Sequence, residues 1–224
     1  MRFQIVTLFP ERYRIYTESG LPARALKKGL FSLAPVQLRD FADPERKGRV
    51  DDMPYGGGPG MVLQIGPVDR ALAAMERSLP VILFTPRGER LNQSGVRRFY
   101  EQARNHAGLT LVCGYYEGVD ERIARHLVDY EVSLGDFILG SGDLAALCFI
   151  EAITRLIPGY MGSEESAHEE SNENGLLEYP QYTRPADYNG WKVPDVLLSG
   201  HHGEIERWRL KESHRITEYR NLKR

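Results

Sequence analysis

Three successive apolar runs in this chain each lead into a loop that carries glycine, and this limits the available folds more than any other feature. "VILFT" (residues 81–85) enters "TPRG", "LTLVC" (109–113) enters "GYYEG", and "YEVSLG" (130–135) enters "GDFILGSG". Helical stretches lie between and after them: "QSGVRRFYEQARN", "VDERIARHL" and a long one over residues 143–156. Upstream, the strands "FQIVTLF" (3–9) and "PVQLRDF" (35–41) flank the helix "LPARALKKGL", and "GPVDRALAAMERS" forms another. Strands alternating with helices predict an α/β fold, a parallel sheet with helices on both faces. Ligands of such sheets sit beyond the carboxyl ends of the strands. The three loops therefore predict a backbone-lined pocket.

A formal net charge of -2 supplies no global basic field for nucleic acid, although a local patch is still compatible with one structured RNA. Cys113 and Cys148 are far apart and read as two reduced core thiols. His168, His201 and His202 have no metal-binding frame, so no metal is expected. The N-terminus lacks the features of a leader, and "LAALCFIEAITRLIP" carries Glu151 and Arg155, so the expectation is a cytoplasmic protein with no membrane partner.

From residue 163 to 183 there is no Lys or Arg, while six glutamates accumulate. Downstream, "SGHHGEIERWRLKESHRITEYR" is helical and locally basic. The chain reads as an α/β domain over 1–160, an acidic linker over 161–185 and a small helical domain over 186–224.

"YGGGPGM" (55–61) is too glycine-rich for an ordinary turn and fits neither a P-loop nor G-x-G-x-x-G. It is either a hairpin or a place where something approaches bare backbone. "GSGDLA" (140–145) matches the G-x-G-x-x-A dinucleotide variant weakly, which keeps an oxidoreductase as an alternative. Arg155 reads either as an arginine at a helix C-terminus or as one aimed at a ligand from behind the pocket.

The segments "MPYGGGPGM", "VCGYYEGVDER", "SLGDFILGSGDL", "RLIPG", "GLLEYPQYTRP" and "VPDVLLSGHHGEIERWRLKES" resemble, in order and spacing, the bacterial tRNA (guanine-N1)-methyltransferases. The resemblance implies a SPOUT-type fold with a deep trefoil knot that grips S-adenosylmethionine, and a homodimer sharing its active sites. It implies methyl transfer to N1 of the guanine 3′ of the anticodon. The knot loops would hold the cofactor through Leu83, Phe84, Thr85, Pro86, Gly114, Tyr116 and Glu117. The third loop would add Leu134, Gly135, Asp136, Phe137, Ile138, Leu139, Gly140, Ser141 and Ala145. Gly57, Gly58, Pro59 and Gly60 would lie beside the flipped base, and Arg184, His201, Arg207 and Arg209 would meet the tRNA.

Guanine N1 carries a proton that a general base must remove, and the charge then developing on O6 calls for a positive donor. The resemblance puts Glu170 at the base position and Arg155 at the O6 position. The chain departs from the family pattern at five places. Glu170 stands for aspartate, Tyr115 for arginine, Asn172 for an aromatic, and Ser141 and Ala145 for glycine and proline. The replaced aspartate is what supports a second alternative, an RNA-binding relative without catalysis.

Overall fold

The computed structural model describes residues 1–75, 78–161 and 175–222. The chain divides into two compact units, Met1–Gly162 and Ser163–Arg224.

The first unit begins with β1 (Arg2–Thr7), α1 (Glu11–Tyr16), α2 (Gly20–Lys27) and β2 (Ser32–Gln37). Two short 3₁₀ turns lead to β3 (Asp51–Asp52), the glycine-rich loop and β4 (Val62–Leu63). Then come α3 (Ile65–Ala73), β5 (Val81–Arg90), α4 (Gln93–Asn105), β6 (Gly108–Cys113), α5 (Glu121–His126), β7 (Tyr130–Ser133) and α6 (Gly142–Thr154). Helix α2 ends as its sequence predicts. Gly29 takes φ +69°, and Leu30 N–H returns to the Ala25 carbonyl at 3.1 Å.

Five strands pair in the order β2-β1-β6-β5-β7, all parallel. Central β6 is buried along its whole length, as a strand covered on both faces must be. Side chains alternate between two cores. Phe3, Ile5, Phe84, Phe99 and Phe149 pack with α1, α2, α4 and α6. Val6, Leu83, Val112, Val68 and Ile123 pack with α3 and α5.

Two expectations need correction. "TPRG" is not simply a loop, because the strand that begins at Val81 continues as β5 to Arg90. Its pairing with β7 slips, so that Phe84 and Glu89 both face Val132. Pro86 has no N–H for the ladder, and the strand resumes beyond the irregularity. Cys113 is buried, but Cys148 is exposed and is no core thiol, since it lies one helical turn beyond exposed Leu144.

In the second unit β8 (Asp187–Tyr188) and β9 (Trp191–Lys192) form a hairpin, followed by α7 (Asp195–Leu198) and α8 (His202–Asn221). The hairpin turn is Asn189-Gly190, both at positive φ, the pair that a two-residue hairpin favours. Trp208 of α8 meets Tyr182 at 6.3 Å between ring centroids, and Thr217 Oγ1 accepts from Leu177 N–H at 2.8 Å. Among the described residues no helix is long and apolar enough to cross a membrane.

Candidate functional site

A cavity of about 190 Å³ lies at the carboxyl ends of β6 and β7 and at the pairing irregularity within β5. Phe84, Thr85 and Pro86 come from β5 at that irregularity, and Gly114, Tyr116 and Glu117 from the second glycine-bearing loop. Leu134, Gly135, Phe137, Ile138, Leu139, Gly140, Ser141 and Ala145 complete the wall from the third.

Two of the expected residues do not line it. Leu83 is fully buried in the opposite core, because its neighbour Phe84 takes the other face of the strand. The Asp136 carboxylate faces solvent and pairs with Arg90. Tyr115, Gly118, Val119, Val132, Ser133 and Gly142 also line the cavity without having been singled out as cofactor contacts. Val132 and Ser133 end β7, so the strand-end rule applied to every residue of that run would have found them.

The third loop is joined directly to the second through backbone. Gly142 N–H donates to the Gly114 carbonyl at 2.8 Å. A β-carbon on Gly142 would lie 2.9 Å from Gly114 N and 3.0 Å from Cys113 Cα, so only glycine lets α6 start against the end of β6. That close approach accounts for this glycine of "GSGDLA" without a pyrophosphate.

Apolar side chains and bare peptide edges make up most of the wall, and Glu117 is among its residues. A β-carbon on Gly140 would meet no atom within 4 Å, so the wall stays open there. Tyr116 sits at φ +63°, a costly conformation for a residue with a side chain. Burial, then the neighbouring Asp51 charge, push its phenol above the ordinary tyrosine value.

The loop of residues 55–61 closes the β3–β4 hairpin beside this cavity. Gly56, Gly57, Gly58 and Gly60 all adopt positive φ, which explains the glycine content by conformation. The far end of the loop is joined to the second cavity loop. Glu117 N–H donates to the Met61 carbonyl at 3.0 Å, and Leu63 N–H to the Gly118 carbonyl at 2.9 Å. Gly57, Gly58 and Gly60 are exposed, as is Pro59. A second, wider cleft of about 770 Å³ runs beside Met53, Pro54 and Tyr55, with Arg46, Asp52 and Arg122 on its walls.

Arg155 caps the C-terminus of α6, whereas the cavity lies at that helix's N-terminus. Ala145 is the last residue of α6 on the cavity wall, and the helix rises about 15 Å from it to Arg155. Arg155 is not among the residues that line this cavity. Glu170, with His168, Glu169 and Asn172, lies outside the described residues. In the second unit His201 precedes α8, Arg207 Nε donates to the Gly203 carbonyl at 3.2 Å, and the Arg209 guanidinium lies 4.6 Å from the Tyr179 ring centroid. Arg184 is exposed just before the hairpin.

Residues 1–223 match the family model described as tRNA (Guanine-1)-methyltransferase TrmD. A relative from Gloeobacter violaceus, named tRNA (guanine-N(1)-)-methyltransferase, is 50% identical over 214 residues, covering 95% of this chain and 92% of the relative. Relatives with the same name from Dehalococcoides mccartyi and Brevibacillus brevis are 47% and 48% identical. They cover 97% and 98% of this chain, and 87% and 89% of their own lengths.

Proposed function

The chain belongs to the tRNA (guanine-1)-methyltransferase family, and from that membership we infer that it is an enzyme placing a methyl group on N1 of a guanine in tRNA. We take the guanine to be the one 3′ of the anticodon and the donor to be S-adenosylmethionine. The observation that carries this is the coincidence of a whole-chain family match with a backbone-lined cavity at the carboxyl ends of β6 and β7 and the irregularity within β5.

When bound, S-adenosylmethionine supplies an electrophilic methyl on a sulfonium. Phe84, Leu134 and Ile138 would cover its apolar surface, the peptide edges of residues 114–118 and 134–141 would read its polar edges, and the Glu117 carboxylate would complement its positive charge. A knotted path is our reading of this region. Its support is the route of the chain, which leaves β7 at the sheet edge and returns across β5 to set Gly142 against the end of β6.

On the substrate, Glu170 would remove the N1 proton and Arg155 would offset charge on O6. The helical rise of about 15 Å between Arg155 and the nearest cavity-lining residue of its own α6 supports a homodimer in which each arginine serves the partner's site. The basic stretch of α8, with Arg207 and Arg209, would take phosphates, and Gly57 to Gly60 would leave room for the target base. We place the reaction in the cytoplasm, with its tRNA substrate.

The test is transfer of a labelled methyl to tRNA transcripts carrying guanine or adenine at that position. Transfer to the guanine transcript alone is expected. Equal labelling of both would overturn the assignment of the base.

A further inference from the structure

Beneath the cavity lies a polar cluster that the proposed chemistry does not use. Asp143 is only 1% exposed, yet it is a carboxylate in the first turn of α6. Its Oδ1 accepts from Thr7 Oγ1, and from Tyr13 Oη at 3.1 Å. Its Oδ2 accepts from Arg12 Nη1 at 3.3 Å. A buried carboxylate needs such partners, because its desolvation is otherwise uncompensated.

Arg12 is connected to two of the cavity loops. Its Nη1 also donates to Ser141 Oγ at 2.7 Å, and Ser141 lines the cavity. Ser141 stands at the N-cap of α6 but makes no side-chain cap there, because its hydroxyl oxygen is engaged by Arg12. The same guanidinium lies 4.2 Å from the Phe9 ring centroid. Phe9 packs edge-on against Tyr115 at 5.1 Å, and Tyr115 against Tyr116 at 4.9 Å, both on the second cavity loop. One side chain from α1 thus links the third loop by hydrogen bonds and the second by a ladder of rings.

We propose that Arg12, acting with Asp143, is a positioning residue that holds the two cavity loops in their ligand-ready arrangement and so sets affinity for the methyl donor. The inference rests on the reading of the cavity as the S-adenosylmethionine site. Arg12 does not line the cavity, so its effect passes through Ser141 and Tyr115. Its side chain is 37% exposed, so shortening it opens no sealed void in the core.

The experiment is calorimetric titration of S-adenosylmethionine into the full chain, with melting temperatures and steady-state kinetics, for Arg12→Ala and Arg12→Lys. Loss of a charge-assisted bridge predicts that Arg12→Ala raises Kd and KM for the cofactor about tenfold. Its kcat at saturation and KM for tRNA should stay near the parent's, and Arg12→Lys should recover part of the affinity. A lowered melting temperature with unchanged cofactor Kd would make the cluster merely structural and overturn the proposal. A fall in kcat with unchanged KM would overturn it as well. Should the alanine variant not fold, Arg12→Gln keeps the stem and a neutral donor, and the same outcomes decide. A parent chain with no measurable affinity for S-adenosylmethionine would instead refute the cofactor reading.

Discussion

Gly60 and Glu117 are packed against each other so closely that a β-carbon on Gly60 would lie 2.2 Å from Glu117 Cγ and 2.7 Å from Oε1. The glycine-rich loop and the cavity loop thus share one surface, and the Glu117 side chain occupies the space a side chain at residue 60 would need. At Gly56 and Gly57 nothing lies within 4 Å, so there the glycine serves backbone conformation alone.

Gly60→Ala should accordingly do two things. It must hold an alanine at φ +76°, costing about 1–2 kcal/mol of stability, and it must push Glu117 aside. Gly57→Ala, at φ +79° in open space, should carry the backbone cost without the displacement. Cofactor titration with thermal melts checks this: both variants lose stability, and Gly60→Ala alone loses affinity. Equal affinity in the two would show that the contact has no bearing on the ligand.

Gly140→Val and Gly142→Ala should separate ligand space from fold space. Gly140 has room for a β-carbon, so its valine variant should melt near the parent temperature while binding cofactor poorly. Gly142→Ala forces a methyl into the backbone of Cys113 and Gly114, and overpacking of that kind costs about 1–3 kcal/mol. A cooperative melt at parental temperature for Gly142→Ala would contradict the described contact between α6 and β6.

Stability should fall on the alkaline side. Burial, the leading cause in each case, pushes the Cys113 thiol and the phenols of Tyr13 and Tyr16 well above their ordinary values. The folded chain therefore keeps these protons where the unfolded chain releases them. Their contribution is complete below the unfolded-state values, about 8.5 for a thiol and about 10 for a phenol, and declines as pH rises beyond them. Urea denaturation at pH 7, 9 and 10 should show the loss, up to about 1.4 kcal/mol per pH unit for each proton. Cys113→Ala should flatten the slope between pH 8.5 and 10; an unchanged slope would assign the loss elsewhere.

Mixing should reveal whether the site is shared. Arg155→Ala and Gly140→Val are each expected to be inactive as homodimers. Co-refolded together they should regain methyl transfer, since one mixed site joins an intact cavity to an intact arginine. Activity that stays absent after verified heterodimer formation would place Arg155 in its own chain's site or outside catalysis.

Much of this was legible along the chain. The apolar run of β6, the alternation of strands with helices and the three glycine-bearing segments pointed to the parallel sheet and to the cavity, because such patterns are local properties; the alternation that sends Leu83 away from the cavity went unused. Tertiary partners were not legible. Nothing near Asp143 in sequence announces Thr7, Arg12 and Tyr13, which lie at least 130 residues away. Cys148 looked like core because α6 is apolar around most of its surface, and periodicity cannot say which part of such a helix meets the sheet. The role proposed for Arg155 comes from a motif, and only the length of α6 sets it apart from its own cavity.

Methylation of guanine N1 in tRNA is read out in the product nucleoside. The purified chain is incubated with methyl-labelled S-adenosylmethionine and an unmodified tRNA transcript, and the RNA is digested to nucleosides. Label is expected in 1-methylguanosine, mapped to the residue 3′ of the anticodon, and should be lost in Glu170→Gln with cofactor affinity retained. Label in any other nucleoside, or none with a transcript that the chain demonstrably binds, would contradict it.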